Sequence, residues 1–325
     1  MSDRKFINMK KKLQVAFFLR KPIKNMHFSV EIFYKELLKS KIRNIEINKK
    51  ILPFHSKGIL NRVYLIFWSL FKQNHINHIS GDINFISILL KKKRNILTIL
   101  DLYTLNRLKG LKRIIFKFLW LYLPIRNSSL IITISKKIKT EILKNFNISP
   151  NLIKVIPCFA AKIFKKNYKK INLRYPKILI IGTAENKNFI RSIKSLNGLD
   201  LKLYIIGELD HKKIDLLKKN KIIYKNYLNL SQEKIYEVYK KIDILFYPST
   251  YEGFGIPILE AQSVGRLVIT SNIYPLKDTA GKGAIFVNPL SSKDMRNKIL
   301  SLKQQKVEEC IQNGFKNIEK YKISI

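Results

Sequence analysis

Cysteine is almost missing from the chain, with only Cys158 and Cys310 among 325 residues. Two thiols supply neither a disulfide framework nor a four-thiolate zinc site, so a reducing compartment, the cytoplasm, is expected. Acidic residues are scarce as well: 22 Asp and Glu stand against 63 Lys and Arg, a formal net charge of +41. Long apolar runs are also lacking. The two longest, residues 63–71 and 118–125, fall well short of the roughly 20 residues a membrane span needs. The charged stretch 1–12 leads into an apolar run, 15–19, that Arg20 interrupts, too short for a signal-peptide core. Hydrophobic residues at 46% and charged residues at 26% are ordinary globular values, which excludes a disordered tail protein. The length suits two domains.

An excess of positive charge attracts phosphates, nucleic acids and anionic membrane faces. Lys, Ile and Asn are abundant in every segment, however, as a bias in the base composition of the gene would produce without any partner. Nucleic-acid readers lean on Arg for bidentate contacts, whereas here Lys far outnumbers Arg. A basic nucleic-acid-binding protein therefore rests on charge alone, and no nucleic acid is expected as a partner.

Short apolar strands alternate with amphipathic helices from end to end, the pattern of an α/β chain with parallel sheets. Strands are predicted at residues 13–19, 96–100 and 130–134, with helices over 30–38 and over 136–145, the latter capped by Ser135. The same grammar restarts with strands at 177–181, 201–206 and 242–247, ending in Gly182, Gly207 and Pro248. Residues 158–176 are basic and lack a strong apolar period. An amino-terminal domain of residues 1–158, a linker of 159–176 and a carboxyl-terminal domain of 177–325 follow. Two such halves leave a cleft between the carboxyl ends of their sheets, where α/β folds bind ligands.

The segment Tyr247-Pro-Ser-Thr-Tyr-Glu-Gly-Phe-Gly-Ile-Pro-Ile-Leu-Glu260 carries the chemistry. A strand runs into a glycine-containing loop and then a helix, with Pro257 suited to the first turn and Gly265 to the stop. Glu252 falls on the loop and Glu260 early in the helix. Gly253 and Gly255 leave backbone N–H groups open at a helix N-terminus, a favourable place for a phosphate. The plainer reading is a solvent-facing carboxylate followed by an acid that complements the helix dipole.

This segment resembles the retaining nucleotide-sugar glycosyltransferases of family 4, marked by two glutamates separated by seven residues around Gly-Phe-Gly. Ile181-Gly-Thr-Ala-Glu-Asn-Lys-Asn188 looks like that family's loop before a helix, while Ile132-Thr-Ile-Ser-Lys136 and Val155-Ile-Pro157 look like its strand-to-helix turn and its entry to the linker. His78-Ile-Ser-Gly-Asp82 is similar to an amino-domain motif of one bacterial subgroup. The resemblance implies a GT-B fold, two Rossmann-like domains facing each other across a cleft, and a hexosyl transfer in bacterial surface polysaccharide synthesis with retention of anomeric configuration. It implies that Glu252 faces the donor sugar, that Glu260 holds the ribose hydroxyls and that Lys187 neutralises the diphosphate. Gly182, Gly253, Phe254 and Gly255 would line the nucleotide sugar. The expected partners are a nucleotide-diphosphate sugar and a glycan or lipid-linked glycan. No Asp-x-Asp pair occurs, so neither a metal nor another cofactor is expected.

The sequence departs from the family in places. Where a histidine often precedes aspartate after the strand near residue 100, this chain has Leu100-Asp101, and the usual twin-glycine loop after the first strand is replaced by residues 22–29. The arginine common just before the diphosphate lysine is absent, with Thr183 and Asn186 nearby. A non-catalytic member of the same fold, partnering another transferase, is the alternative that Leu100 supports. Last, Arg107, Lys109, Lys112, Arg113 and Lys117 interleave with Leu108, Leu111, Ile114, Ile115 and Phe118, and Trp120 and Tyr122 follow. On a helix these give a basic border around an apolar surface, which suits either a core helix with a solvated lysine face or a peripheral contact with the anionic inner face of the cytoplasmic membrane.

Overall fold

A computed structural model of the chain describes residues 12–22, 34, 37–38 and 43–322. Most of the predicted helix over 30–38 and most of the 22–29 segment lie outside the described residues.

Among the described residues, two six-stranded sheets form, all their strand pairs parallel. The first contains β1 (Leu13–Leu19), β2 (Ile45–Ile51), β3 (Ile76–Ile79), β4 (Asn95–Ile99), β5 (Leu130–Thr133) and β6 (Ile153–Val155), in the order β2-β1-β3-β4-β5-β6. The second contains β7 (Lys177–Ile181), β8 (Lys202–Ile206), β9 (Tyr224–Tyr227), β10 (Ile244–Tyr247), β11 (Leu267–Ser271) and β12 (Ile285–Val287), in the order β12-β11-β10-β7-β8-β9. Read from β7, that is the doubly wound nucleotide-binding order, and its direction reverses between β7 and β10. No regular element lies between Val155 and Lys177.

Central strands such as Ile244–Tyr247 and Leu267–Ser271 are buried at every position, as parallel strands covered on both faces must be. Each sheet has helices packed into its own apolar core. A smaller cluster spans both halves: Phe17, Ile134 and Cys158 meet Phe254, Ile256 and Leu259, with Tyr321 at its margin. The Tyr321 ring stands edge-on to Phe254 at 5.7 Å, so the last described turn, Glu319–Tyr321, closes over this seam. Cys158 is a buried filler there, its thiol pushed up to about 12 by burial.

The stretch containing Arg107 to Tyr122 is not one α-helix. A short helix ends at Arg107, a second runs Gly110–Phe116, and Lys117–Tyr122 is wound as a π-helix. The wider turn changes which residues share a face. Leu111 and Ile114 are 70% and 65% exposed, whereas Phe116 and Trp120 turn inward. Part of the stretch, Phe116, Trp120 and Leu121, thus belongs to the core, and part, Leu111 and Ile114, is exposed.

Candidate active site

The switch point between β7 and β10 gathers the groups that the sequence singles out. Beyond β7 the chain turns at Gly182, makes a 3₁₀ turn over Glu185–Lys187 and enters the helix Phe189–Leu196. Lys187 folds back over Gly182, where an added Cβ would lie 2.9 Å from its Cγ. Only glycine leaves room for the lysine stem. Beyond β10, the loop 248–255 carries Glu252 towards the same place, and the helix Ile256–Val264 begins with Pro257 in its first turn and ends at Gly265, as predicted.

There Lys187 Nζ donates to Glu252 Oε1 at 2.6 Å and to the Tyr247 hydroxyl at 2.7 Å. Burial lowers the pKa of Lys187, but the Glu252 carboxylate and the Tyr247 hydroxyl outweigh it and hold the ammonium above its ordinary value. Tyr247 is fully buried, and burial followed by the Glu252 charge keeps its phenol protonated. The three groups form a charged hydrogen-bonded unit at a low-dielectric site, where an anionic ligand would have to share the ammonium with Glu252.

Glu260 is placed differently. Its Oε2 accepts the Tyr239 hydroxyl at 3.0 Å, and its side chain is buried in the helix Ile256–Val264. Burial pushes its carboxyl up to about 7, with the Tyr239 bond opposing. Phe254 also differs from an open ligand contact: its ring is buried in the seam between the halves and its carbonyl accepts from Thr279 Oγ1 at 2.7 Å. Gly255 adopts a left-handed conformation packed on Leu276.

Gly253 has a structural reason that the sequence does not show. A Cβ there would lie 2.4 Å from the carbonyl oxygen of Leu100, so the Glu252 loop rests directly on the segment after β4. Leu100 itself faces a cavity of about 1140 Å³ at the carboxyl ends of the first sheet, shared with Arg20, Asp82 and Asp101. Arg20 and Asp82 form an ion pair at 3.1 Å on that wall. His78 points elsewhere. It bonds Thr98 Oγ1 at 2.8 Å and packs on Phe17, and burial lowers its pKa to about 4, which makes it a neutral structural group.

Tyr247, Tyr251, Lys137 and Glu141 join the site without having been singled out, and so does Asn186, noted only as a neighbour of Lys187. Asn186 Nδ2 donates to the Tyr251 carbonyl at 3.0 Å, fixing the Lys187 turn to the Glu252 loop. Tyr247 opens the quoted segment, and a buried tyrosine needs a partner for its hydroxyl, the signal available in the sequence. Among the described residues no three His, Cys, Asp or Glu side chains are grouped as a metal site would require.

Residues 162–317 match the family model for glycosyl transferases group 1. That segment, just under half of the chain, is similar to the glycosyl transferases group 1. Its curated relatives include the O-antigen chain mannosyltransferase RfbU of Salmonella typhimurium, 28% identical over 210 residues, 60% of this chain and 56% of that protein. The O-antigen chain mannosyltransferase B of Escherichia coli is 49% identical over 43 residues, 13% of this chain and 11% of that protein. The chain spans little more than half the length of RfbU. Solved structures extend the likeness to the whole fold. WaaG, a glycosyltransferase involved in lipopolysaccharide biosynthesis, matches with a TM-score of 0.68 at 14% identity, covering 94% of this chain and 95% of WaaG. Anabaena HepE in complex with UDP and glucose matches with a TM-score of 0.71 at 14% identity and 95% coverage of both chains. The architecture is GT-B, as expected.

Proposed function

We propose that the protein is a retaining glycosyltransferase that moves a hexosyl group from a nucleotide-diphosphate sugar to a glycan or lipid-linked glycan in bacterial surface polysaccharide synthesis. One observation carries the reading: Lys187 and Glu252 come from different strands to pair at the switch point, beside the cavity that Leu100 and Asp101 border. The relatives' names, mannosyltransferases of O-antigen chains, support the reaction class.

In this scheme the carboxyl-terminal domain, residues 177–325, binds the donor, and the amino-terminal domain, 1–158, receives the acceptor. Lys187 shifts from Glu252 to the diphosphate as charge grows there, and backbone groups of Gly182, Gly253, Phe254 and Gly255 border the sugar and phosphates. The bond between the anomeric carbon and the phosphate oxygen breaks with its electron pair leaving on the nucleoside diphosphate. The acceptor hydroxyl attacks on the same face and passes its proton to the departing phosphate. Glu252, freed from Lys187, stabilises the oxocarbenium-like centre, and Glu260 accepts from the ribose. Neither metal nor cofactor enters this reading. A product formed from an α-linked donor such as GDP-mannose should give the α-anomeric proton signal by NMR; a β-linked product would remove the retaining mechanism.

The protein acts, in the same reading, as a peripheral protein on the anionic inner leaflet of the cytoplasmic membrane. No described helix is long and apolar enough to cross a bilayer. The helix Ile59–Leu70 nevertheless exposes Leu60 at 86% and is followed by Phe71 at 80%, and Arg62 stacks on Trp120 of the π-helix at 4.6 Å. Leu111, Ile114 and Phe118 are exposed as well, on a stretch that also carries Lys109, Lys112 and Arg113. Each basic residue near an anionic surface adds about 1 kcal/mol. Flotation with anionic liposomes should weaken in salt and when those three residues become Glu. Unchanged flotation would remove the membrane contact alone.

The second reading, a non-catalytic partner subunit, draws on Leu100, which faces the cavity where related transferases often have histidine. It predicts that no donor is turned over.

A further inference from the structure

Tyr251, the residue before Glu252, is held from both halves of the molecule. Its hydroxyl donates to Glu141 Oε2 at 2.7 Å and accepts the Leu102 N–H at 3.2 Å. Lys137 Nζ stands 3.4 Å from the centre of its ring, donates to the Glu252 carbonyl oxygen at 3.2 Å and pairs with Glu141 Oε1 at 3.3 Å. Lys137 and Glu141 lie one turn apart on the helix Lys136–Asn145, whose start Ser135 caps, so the amino half presents them as a rigid pair. On the other side the Tyr251 carbonyl is fixed by Asn186, the neighbour of Lys187.

This arrangement differs from an ordinary surface contact. An ion pair across the halves, Arg107 with Glu185 at 3.2 Å, joins side chains 67% and 75% exposed, where solvent screening leaves little net attraction. Lys137 and Glu141 are only 19% and 22% exposed, and burial pulls the Lys137 pKa down while Glu141 opposes it. Hydrogen bonds in such a setting are directional and strong, yet every group regains water once the halves part. The contacts therefore fix a geometry when closed without holding the halves shut permanently.

We propose that Tyr251, Lys137 and Glu141 are positioning residues that form a clasp between the halves, setting the height of Glu252 above the donor and releasing when the cleft opens. The consequence for turnover rests on the glycosyltransferase reading; the clasp itself does not. Closure would complete the site only when the Glu252 loop is seated, which limits loss of the donor to water.

Distances between labels on the two halves test the clasp without substrate. Because Cys158 lies in the seam that opening would uncover, it and Cys310 are replaced by alanine, and cysteines introduced at the exposed Lys72 and Lys212 are then labelled in the full chain. Tyr251→Phe, which removes both hydroxyl bonds but keeps the ring, should raise the population at longer label distances about tenfold. Glu141→Gln should do so less, and the double variant should fall short of the sum of the two single effects, because both changes act on the same bond. Identical distance distributions for the parent and Tyr251→Phe, or strictly additive effects, would overturn the proposal. With GDP-mannose as probe, Tyr251→Phe should lower kcat about tenfold with KM for the donor and the melting temperature nearly unchanged. A melting-temperature loss with kcat preserved would reduce these residues to ordinary structural contacts. If the parent turns over no nucleotide sugar, the transferase reading fails, and the label distances still decide the clasp.

Discussion

Replacing Gly253 by alanine adds one methyl group at the point where the halves touch. The new Cβ would lie 2.4 Å from the Leu100 carbonyl oxygen, while an acceptable carbon–oxygen contact is about 3.3 Å or more. The Glu252 loop must therefore retreat by about 1 Å, a displacement that costs roughly a hundredfold in kcat when it misplaces a reacting group. The clash falls between the halves rather than inside either core, so it can be relieved by their parting. The melting temperature should stay within about 2 °C of the parent. Gly265→Ala is the control: its Cβ would meet Phe315 at 2.7 Å, at a φ of +82°, within the carboxyl half. That variant should lose about 1–3 kcal/mol of stability, several degrees of melting temperature. Consumption of nucleotide sugar followed by phosphorus NMR, together with calorimetry, separates the two. Parent-like turnover in Gly253→Ala, or a stability loss matching that of Gly265→Ala, would refute the argument that this glycine exists for the approach of the two halves.

Lys187→Ala should raise KM for the donor and lower kcat, together about 10- to 150-fold in kcat/KM, as expected for loss of a charged hydrogen bond, with Lys187→Arg recovering part; unchanged constants would assign the diphosphate to another cation. Tyr247→Phe should produce a smaller loss, since Glu252 still holds the ammonium. Glu260 is raised from 4.5 to about 7, so between those values the folded chain keeps a proton that the unfolded chain has released. Stability should accordingly fall with rising pH through that window, by about 1.4 kcal/mol per unit at most, and urea titrations of Glu260→Gln should lack that slope. Because ribose hydroxyls favour the ionised carboxylate, nucleotide affinity should weaken below pH about 7, an effect that calorimetric titration would see vanish in the Gln variant. Leu100→His should leave the melting temperature unchanged and increase donor hydrolysis; a folded variant with parent-like hydrolysis would show that position 100 does not face the donor.

The alternating strands and the Ser135, Pro257 and Gly265 signals were legible in the sequence because they depend on local rules of capping and periodicity. The pairing of Lys187 with Glu252 was partly legible: the family resemblance implies donor-side roles for both, but nothing in one sequence shows that each is the other's partner. Tyr251, Lys137 and Glu141 were missed because the contact joins residues over a hundred positions apart, and a lysine in so basic a chain carries no local signal. Glu260 read as a ligand group, whereas its link to Tyr239 depends on how two helices of the carboxyl half pack. The helix expected over 107–122 broke at Leu108 and Lys109 and widened into a π-helix, since Phe116 and Trp120 turn into the core while their neighbours stay outside.

Phosphorus NMR of the purified protein incubated with UDP-, GDP- and ADP-sugars, in parallel with Lys187→Ala and Glu252→Gln, tests the central claim most directly. One donor should be converted to its free nucleoside diphosphate by the parent, with turnover reduced at least tenfold in each variant. No conversion of any donor, even with membrane-extracted glycan present as acceptor, or equal conversion by parent and variants, would contradict it.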